Sequence, residues 1–116
     1  MTLDNTDELY EWRVKSRYDT VPLEADFISR LPDGTVLATC TIGVETFYGN
    51  DPFPTDIISG PVTVRKTQAK QLVIGGQEGQ VYRVTFDAVS DDGDEVTLYT
   101  MLTISTPPDA GLTSYL

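Results

Sequence analysis

The sequence of 116 residues contains no histidine and one cysteine, Cys40. No apolar run approaches the roughly 20 residues that a membrane-spanning helix needs. Without histidine the chain lacks the commonest general base and metal ligand, which excludes hydrolase triads of the usual serine or cysteine type. One cysteine permits no internal disulfide and no thiolate metal cluster. We therefore expect no catalytic residues, no metal site and no cofactor, and we predict that the chain is not an enzyme.

Positive charge is also scarce, with 8 Lys and Arg residues against 18 Asp and Glu residues and a formal net charge of −10. A small chain this acidic repels phosphate backbones and anionic lipid surfaces, so nucleic-acid and membrane partners are not expected. The first twelve residues are mostly polar and lack the apolar stretch of a secretory signal. Together with the lone cysteine, this favours synthesis in a reducing cytoplasm.

The clearest fold signal lies between Gly75 and Ile104. Apolar and polar residues alternate through Tyr82, Val84 and Phe86, which is typical of a half-buried strand. A turn containing Asp-Gly follows, and a second alternating run begins after it. Because glycine accepts the positive φ of tight turns, the pattern predicts two long antiparallel strands joined in a hairpin.

Upstream, turn residues separate several shorter segments with strand character. We predict strands at 21–31 and 36–46, joined as a second hairpin by the turn from Pro32 to Thr35. The stretch 48–61 contains three prolines and is predicted to be a loop. Trp12 and Val14 alternate with Arg13 and Lys15, which predicts either a first strand or an arm that docks on a neighbour. Two further short strands are predicted at 62–66 and 71–74, and residues 65–71 could instead form a helical turn.

These signals predict an all-β fold, an immunoglobulin-like antiparallel β-sandwich of about seven strands, with a closed barrel as the alternative. The domain is assigned to residues 12–105, with an N-terminal arm at 1–11 and a C-terminal tail at 106–116. Tyr82 stands two residues before the inward-facing Val84, as in a tyrosine corner. We expect its hydroxyl to bond to backbone while its ring packs inward.

No polar cluster in the sequence indicates a chemical site. The acidic residues 91–95 lack the spacing of a known calcium loop and are interpreted as a solvated turn. Asp51 and Asp56 flank a proline-rich loop and are expected to bond locally or face water. Cys40 is expected to be a buried, unreactive side chain.

The chain resembles a family of small immunoglobulin-like virion proteins of tailed bacteriophages, of the type called fibre–tail adaptors. Five stretches carry the resemblance: RLPDGTV at 30–36, NDPFPTDIISG at 50–60, QLVIGG at 71–76, GQVYRVT at 79–85 and DDG at 91–93. The resemblance as a whole covers roughly residues 12–104. The five stretches are turn and strand signatures, and they bear on fold more directly than on function.

The resemblance implies a structural protein in the virion tail that links fibres or spikes to the tail body. The implied partners are a fibre or tailspike, a tail or connector protein, and further copies of the chain in a symmetric ring. Synthesis would take place in the cytoplasm of the host bacterium. One alternative is a capsid decoration (cement) protein. Another, from a different class, is a carbohydrate-binding module that uses Tyr48 and Tyr99.

We expect partner contacts in the terminal segments 1–20 and 105–116 and in the loop 48–61. The basic residues at 65, 66 and 70 could meet an acidic patch on a neighbouring copy, or simply guard an edge strand. The apolar residues beyond Pro107 and Pro108 follow the last strand and suggest docking onto a neighbour. The candidate contact residues are Trp12, Tyr18, Phe53, Arg65, Lys66, Lys70, Leu112, Tyr115 and Leu116.

Deleting residues 106–116 is predicted to weaken assembly while the purified chain stays folded, because this tail lies outside the predicted strands. Circular dichroism would follow folding, and incorporation into particles would follow assembly. Normal assembly of the shortened chain would refute a docking role for the tail.

Overall fold

The computed structural model describes residues 8–105, with side chains from Trp12 onward. Seven strands make up most of this part of the chain, and two short 3₁₀ turns interrupt the connections. The strands are β1 (Glu8–Lys15), β2 (Val21–Asp26), β3 (Leu37–Tyr48), β4 (Ile58–Arg65), β5 (Gln68–Val73), β6 (Val81–Ser90) and β7 (Glu95–Ile104). The 3₁₀ turns are η1 (Ile28–Arg30) and η2 (Pro54–Ile57).

The strands form two sheets, one with the order β1-β7-β6-β3 and one with the order β2-β5-β4. Their inner faces enclose a single apolar core, so the predicted all-β sandwich is confirmed. Alternation of inward apolar and outward polar residues explains this layering, because successive strand residues point to opposite faces. The largest buried apolar side chains are Tyr82, Phe27, Phe86, Leu23, Ile57, Leu102, Ile104, Val73 and Val84.

The hairpin of β6 and β7 has the predicted form. The two strands pair without interruption from Val81 to Val89. The Ser90 N–H donates to the Asp94 carbonyl oxygen at 2.8 Å, which closes the turn, and Gly93 has a φ of 93°. The acidic segment 91–94 therefore forms the tip of this hairpin.

The second predicted hairpin is wrong, because the turn at Pro32 to Thr35 connects the two sheets. β2 pairs with β5, whereas β3 pairs with β6 in the opposite sheet. The strand predicted at 21–31 ends at Asp26, where fully buried Phe27 enters the core and η1 begins. Turn residues specify a change of chain direction, but the choice of sheet depends on which strand is available as a partner.

Two other segments also differ from the sequence-based expectation. β4 begins at Ile58, inside the predicted loop, and β5 begins at Gln68, inside the segment that could have been a helical turn. Lys66, at φ 56°, occupies the tight turn between these strands. β1 begins at Glu8, within the segment expected to be an arm.

β1 pairs with β7 in parallel, and every other pair is antiparallel among the described residues. The chain therefore enters the sandwich at one end and leaves β7 at the other, about 30 Å away for strands of this length. We call these ends the entry pole and the exit pole. The entry pole carries the connections 27–36, 66–67 and 91–94. The exit pole carries 16–20, 49–57, 74–80 and Ser105.

A candidate docking surface at the exit pole

Tyr82 is fully buried at the start of β6, and its hydroxyl group joins two connections of the exit pole. The Gln77 N–H donates to this hydroxyl at 2.9 Å, and the hydroxyl donates to Asp51 Oδ2 at 2.6 Å. The expected bond to backbone is confirmed, and the carboxylate is a second partner. Burial first, and then the hydrogen bond to Asp51, raises the pKa of Tyr82 to about 12.

Asp51 and Gln80 fix the first part of the β3–β4 connection. Asp51 Oδ1 accepts the Phe53 N–H at 2.8 Å, which forms a local turn. Gln80 Oε1 accepts the N–H groups of Asn50 and Asp51, at 3.1 and 2.9 Å. The backbone of Gly49 lies so close to Gln80 that an added Cβ would come within 2.5 Å of Oε1. The segment that carries Phe53 is therefore held at several points.

Lys15 fixes the other side of this pole. Its side chain is almost completely buried, and its Nζ donates to the carbonyl oxygens of Ser16 and Gly75 at 2.7 and 2.6 Å. Burial lowers the pKa of Lys15, and the nearby Asp19 carboxylate partly opposes this shift. Backbone carbonyl oxygens thus receive the ammonium group, and β1 is tied to the connection before β6.

Arg17 positions Tyr18 on the surface. Its guanidinium lies 4.8 Å from the centre of the Tyr18 ring and donates to the Tyr18 hydroxyl at 2.6 Å. It also pairs with Glu78 at 3.0 Å. An exposed ion pair of this kind contributes little to stability, but it restricts the orientation of the ring.

Three aromatic side chains are consequently displayed at the exit pole. Tyr18 is 75% exposed, Tyr48 68% and Phe53 65%. They come from different connections or strand ends, which the hydrogen bonds described above hold in place. Rigid aromatic groups lose little conformational entropy when a partner covers them, and they are common anchors of protein interfaces. We call Tyr18, Tyr48 and Phe53 the exit-pole aromatics.

Trp12 lies on the outer face of the four-stranded sheet and not at the pole itself. It is 56% exposed, and its Nε1–H donates to Thr103 Oγ1 at 2.9 Å. The strand register places Tyr99 on the same outer face, under the Arg83 guanidinium at 4.1 Å from the ring centre. The structure therefore separates Trp12 from Tyr18 and Phe53 by placing it on a lateral surface.

The basic residues do not form one cluster. Arg65 and Lys70 line a shallow groove of about 350 Å³ on the outer face of the three-stranded sheet, together with Glu24. Lys66 lines a different groove of about 300 Å³ at the entry pole, beside Ile28. Lys66 has a positive φ in the turn after β4, so its side chain points away from that of Arg65. Their adjacency in sequence could not show this.

The remaining candidate residues yield no further site. Leu112, Tyr115 and Leu116 lie outside the described residues. Among the side chains described, from Trp12 to Ser105, no group of three or more Cys, Asp or Glu is arranged to hold a metal ion. Cys40 is buried, and burial together with the Asp87 charge raises its pKa to about 11, which disfavours the reactive thiolate. No helix in the described part of the chain is long and apolar enough to cross a membrane.

Sequence reasoning missed the contacts that organise this pole. The Tyr82 and Asp51 side chains meet across 31 positions, and Lys15 meets Gly75 across 60. The tyrosine corner was the one usable signal, because it follows from spacing within a single strand. The sequence predicted local bonding or solvation for Asp51, and its bond to the Phe53 N–H agrees with the first, whereas its bond to the Tyr82 hydroxyl was not predicted.

Comparison with known proteins gives a fold likeness and little else. No protein-family model matches the chain, and no curated protein matches it. Among solved structures it is similar to a 2,6-sialyltransferase of Photobacterium sp. JT-ISH-224, solved with CMP and lactose. The TM-score is 0.51 at 10% identity, over 91% of this chain and 19% of the sialyltransferase. This chain thus spans about a fifth of the length of that enzyme.

This comparison corrects one expectation from the sequence. We predicted that the chain is not an enzyme, and the finding contradicts that prediction because a similar fold forms part of an enzyme chain. The missing histidine excludes particular triads, and it does not exclude an enzyme as a class. At 10% identity the likeness concerns the fold alone, and it transfers no activity or substrate.

Replacing Tyr82 with phenylalanine is predicted to lower the free energy of unfolding by about 1–3 kcal/mol, because the Gln77 N–H and the Asp51 carboxylate lose a buried partner. Urea unfolding would measure the change. Tyr48→Phe is the matched control, because this tyrosine is 68% exposed, and its effect should stay within about 0.5 kcal/mol. Equal effects of the two substitutions would contradict the role given to the Tyr82 hydroxyl.

Wild type and Tyr82→Phe are also predicted to differ in how their free energies of unfolding depend on pH. The pKa of Tyr82 is raised from 10.0 to about 12 in the folded state, so its protonated form stabilises the fold below pH 10. That contribution is lost as the pH rises through about 12. The stability difference between wild type and Tyr82→Phe should therefore narrow over this interval. A difference that stays constant would show that the hydroxyl does not titrate as described.

Proposed function

We propose that this chain is a structural protein of a bacteriophage virion, acting as a tail adaptor that links fibres or spikes to the tail or connector. The resemblance of the sequence motifs to those of phage virion proteins is the reason to place the chain in a phage particle. The structure adds a surface suited to the task, since a rigid sandwich presents aromatic side chains from fixed connections. The exit-pole aromatics are the single observation that carries the proposal.

The arrangement of the poles supports a linking role. An adaptor needs two contact regions that face different partners. Because β1 and β7 run parallel, the chain segments before β1 and after β7 leave from opposite poles. The exit pole presents aromatic rings, whereas the entry pole carries the acidic hairpin tip and Lys66. Surfaces this different in chemistry favour two different partners.

Multiple copies would strengthen such an attachment. In a symmetric ring each modest contact is repeated, and the avidity of the ring exceeds the affinity of one copy. Under this proposal, Arg65 and Lys70 in the groove of the three-stranded sheet would attract an acidic neighbouring copy. Under this proposal the chain works by holding its neighbours at a fixed spacing.

Locating the protein in intact particles tests the proposal directly. A tagged copy would be visualised by immunogold electron microscopy, and quantitative mass spectrometry would count the copies. An adaptor predicts label at the tail and about a dozen copies or fewer, as closed rings have. Label on the head with far more copies would replace the adaptor with a decoration protein. Absence from the particle would refute both.

Phe53→Ala is predicted to reduce incorporation into particles by about tenfold or more, as truncation of an aromatic anchor commonly does. Val14→Ala is the matched control, because Val14 is 63% exposed and lies on the edge strand β1, outside the connections that form either pole. Thermal unfolding would show that both variants fold. Equal incorporation of the two variants would remove Phe53 from the contact.

Carbohydrate binding is a second candidate, favoured by one observation. Trp12 is more than half exposed on the outer face of the four-stranded sheet, and the strand register places Tyr48 on that face too. Sugar rings stack on such aromatic faces. A glycan array with wild type, Trp12→Ala and Tyr48→Ala would decide. Binding that both substitutions abolish would support this function, and no binding by the wild type would reject it.

A further inference from the structure

The two sheets have four edge strands, and these differ in how well they are protected against pairing with another chain. β2 carries Pro22 and β4 carries Pro61, next to a break in register. β1 contains four charged residues among eight. Proline, irregular register and charge are the devices that prevent unwanted pairing at sheet edges. Three of the four edges thus carry at least one of them.

β3 is the exception. It is the longest strand at twelve residues, contains no proline and has one charged residue, Glu45. Its two register shifts lie at its ends, between Leu37 and Thr39 and between Thr46 and Tyr48. The eight residues from Thr39 to Thr46 form a regular ladder with β6 on one side. Among the described residues no strand pairs with its other side.

Gly43 lies near the middle of this regular segment. Its backbone is not left-handed, and a Cβ added there would meet no atom within 4 Å. The conformation therefore does not require glycine, although glycine weakens a strand interior. A missing side chain in mid-strand is useful where another backbone approaches closely.

We propose that β3 pairs with β3 of a second copy, antiparallel and with Gly43 on the twofold axis, so that the two four-stranded sheets join into one of eight strands. We choose a second copy of this chain as the partner because β3 is complementary to itself. Antiparallel pairing of one strand with itself repeats every contact twice, and an isologous interface needs such self-complementarity. The inference does not depend on the proposed function.

This register matches side chains face by face. Outward residues must pair with outward residues, so Gly43 faces its own equivalent and Thr41 faces Glu45 of the other copy. Cys40 and Thr46 end the paired segment, because Phe47, the residue opposite Thr39, lies in the register shift of β3. On the inner face Ile42 faces Val44.

The register also limits repulsion between two acidic chains. Each copy has a formal charge of −10, so most surfaces oppose self-association. In the paired segment the one carboxylate, Glu45, faces a threonine and never its own equivalent. β3 and β4 each carry one charged residue, but β4 is interrupted around Pro61, so β3 is the uninterrupted edge with little charge.

Cysteine cross-linking tests both the interface and its register. Gly43→Cys, on a Cys40→Ala background, would bring two thiols directly opposite each other, with Cβ atoms about 5 Å apart. Mild oxidation should then give a disulfide-linked dimer on a non-reducing gel. Thr41→Cys on the same background is the matched control, because its equivalents would be about 13 Å apart and should not link.

A charge substitution provides an independent measurement. Gly43→Lys places two ammonium groups on the axis and should weaken the dimer by about tenfold or more, since like charges that face each other across an interface repel. Val14→Lys changes an exposed position on the opposite edge strand, β1, and should leave association unchanged. Analytical ultracentrifugation would measure the dissociation constants, and circular dichroism would verify folding.

Three results would overturn the proposal. One is a wild type that remains monomeric at every accessible concentration. Another is cross-linking of the Thr41→Cys protein without that of the Gly43→Cys protein, which would rule out this register. The third is an equal loss of association in Gly43→Lys and Val14→Lys, which would place the interface elsewhere.

Discussion

The hydrogen bonds of the Tyr82 hydroxyl group hold the connections of the exit pole together. The hydroxyl accepts the Gln77 N–H from one connection and donates to the Asp51 carboxylate of another, while the tyrosine ring fills the core. Asp51 in turn fixes the backbone of Phe53. A buried hydroxyl must have partners, and these two arrive from segments that are distant in sequence. The core and the surface aromatics are therefore joined through one side chain.

The parallel pairing of β1 with β7 is the second constraint. It separates the entry and exit of the chain and gives the molecule two poles of different chemistry. An antiparallel first strand would have brought both chain segments to one pole. Lys15 secures the parallel strand, since its ammonium group holds the carbonyl oxygen of Gly75 beside the end of β7. The proposed linking role depends on this polarity.

The edge strands differ in how well they are protected against pairing with another chain, and this difference bears on assembly. Edge strands with proline or dense charge avoid pairing, and β3 has neither feature. Under the proposed pairing, the uncharged residues of β3 determine where a second copy of this acidic chain approaches. In the core, burial requires apolar residues at the inward positions of each strand. At the sheet edges, proline and charge likewise differ from strand to strand, according to whether that edge must avoid a partner.

The sequence by itself determined the fold class, the final hairpin, the inward positions of β6 and the tyrosine corner. All of these follow from periodicity and turn chemistry within short segments. Tertiary structure alone decided that the turn at Asp33 and Gly34 crosses between sheets, that β1 pairs in parallel, and that Arg65 and Lys66 line different grooves. Each of these depends on which distant strand supplies the hydrogen-bonding partner. Local patterns record the direction of a side chain, and they do not record the identity of the neighbouring strand.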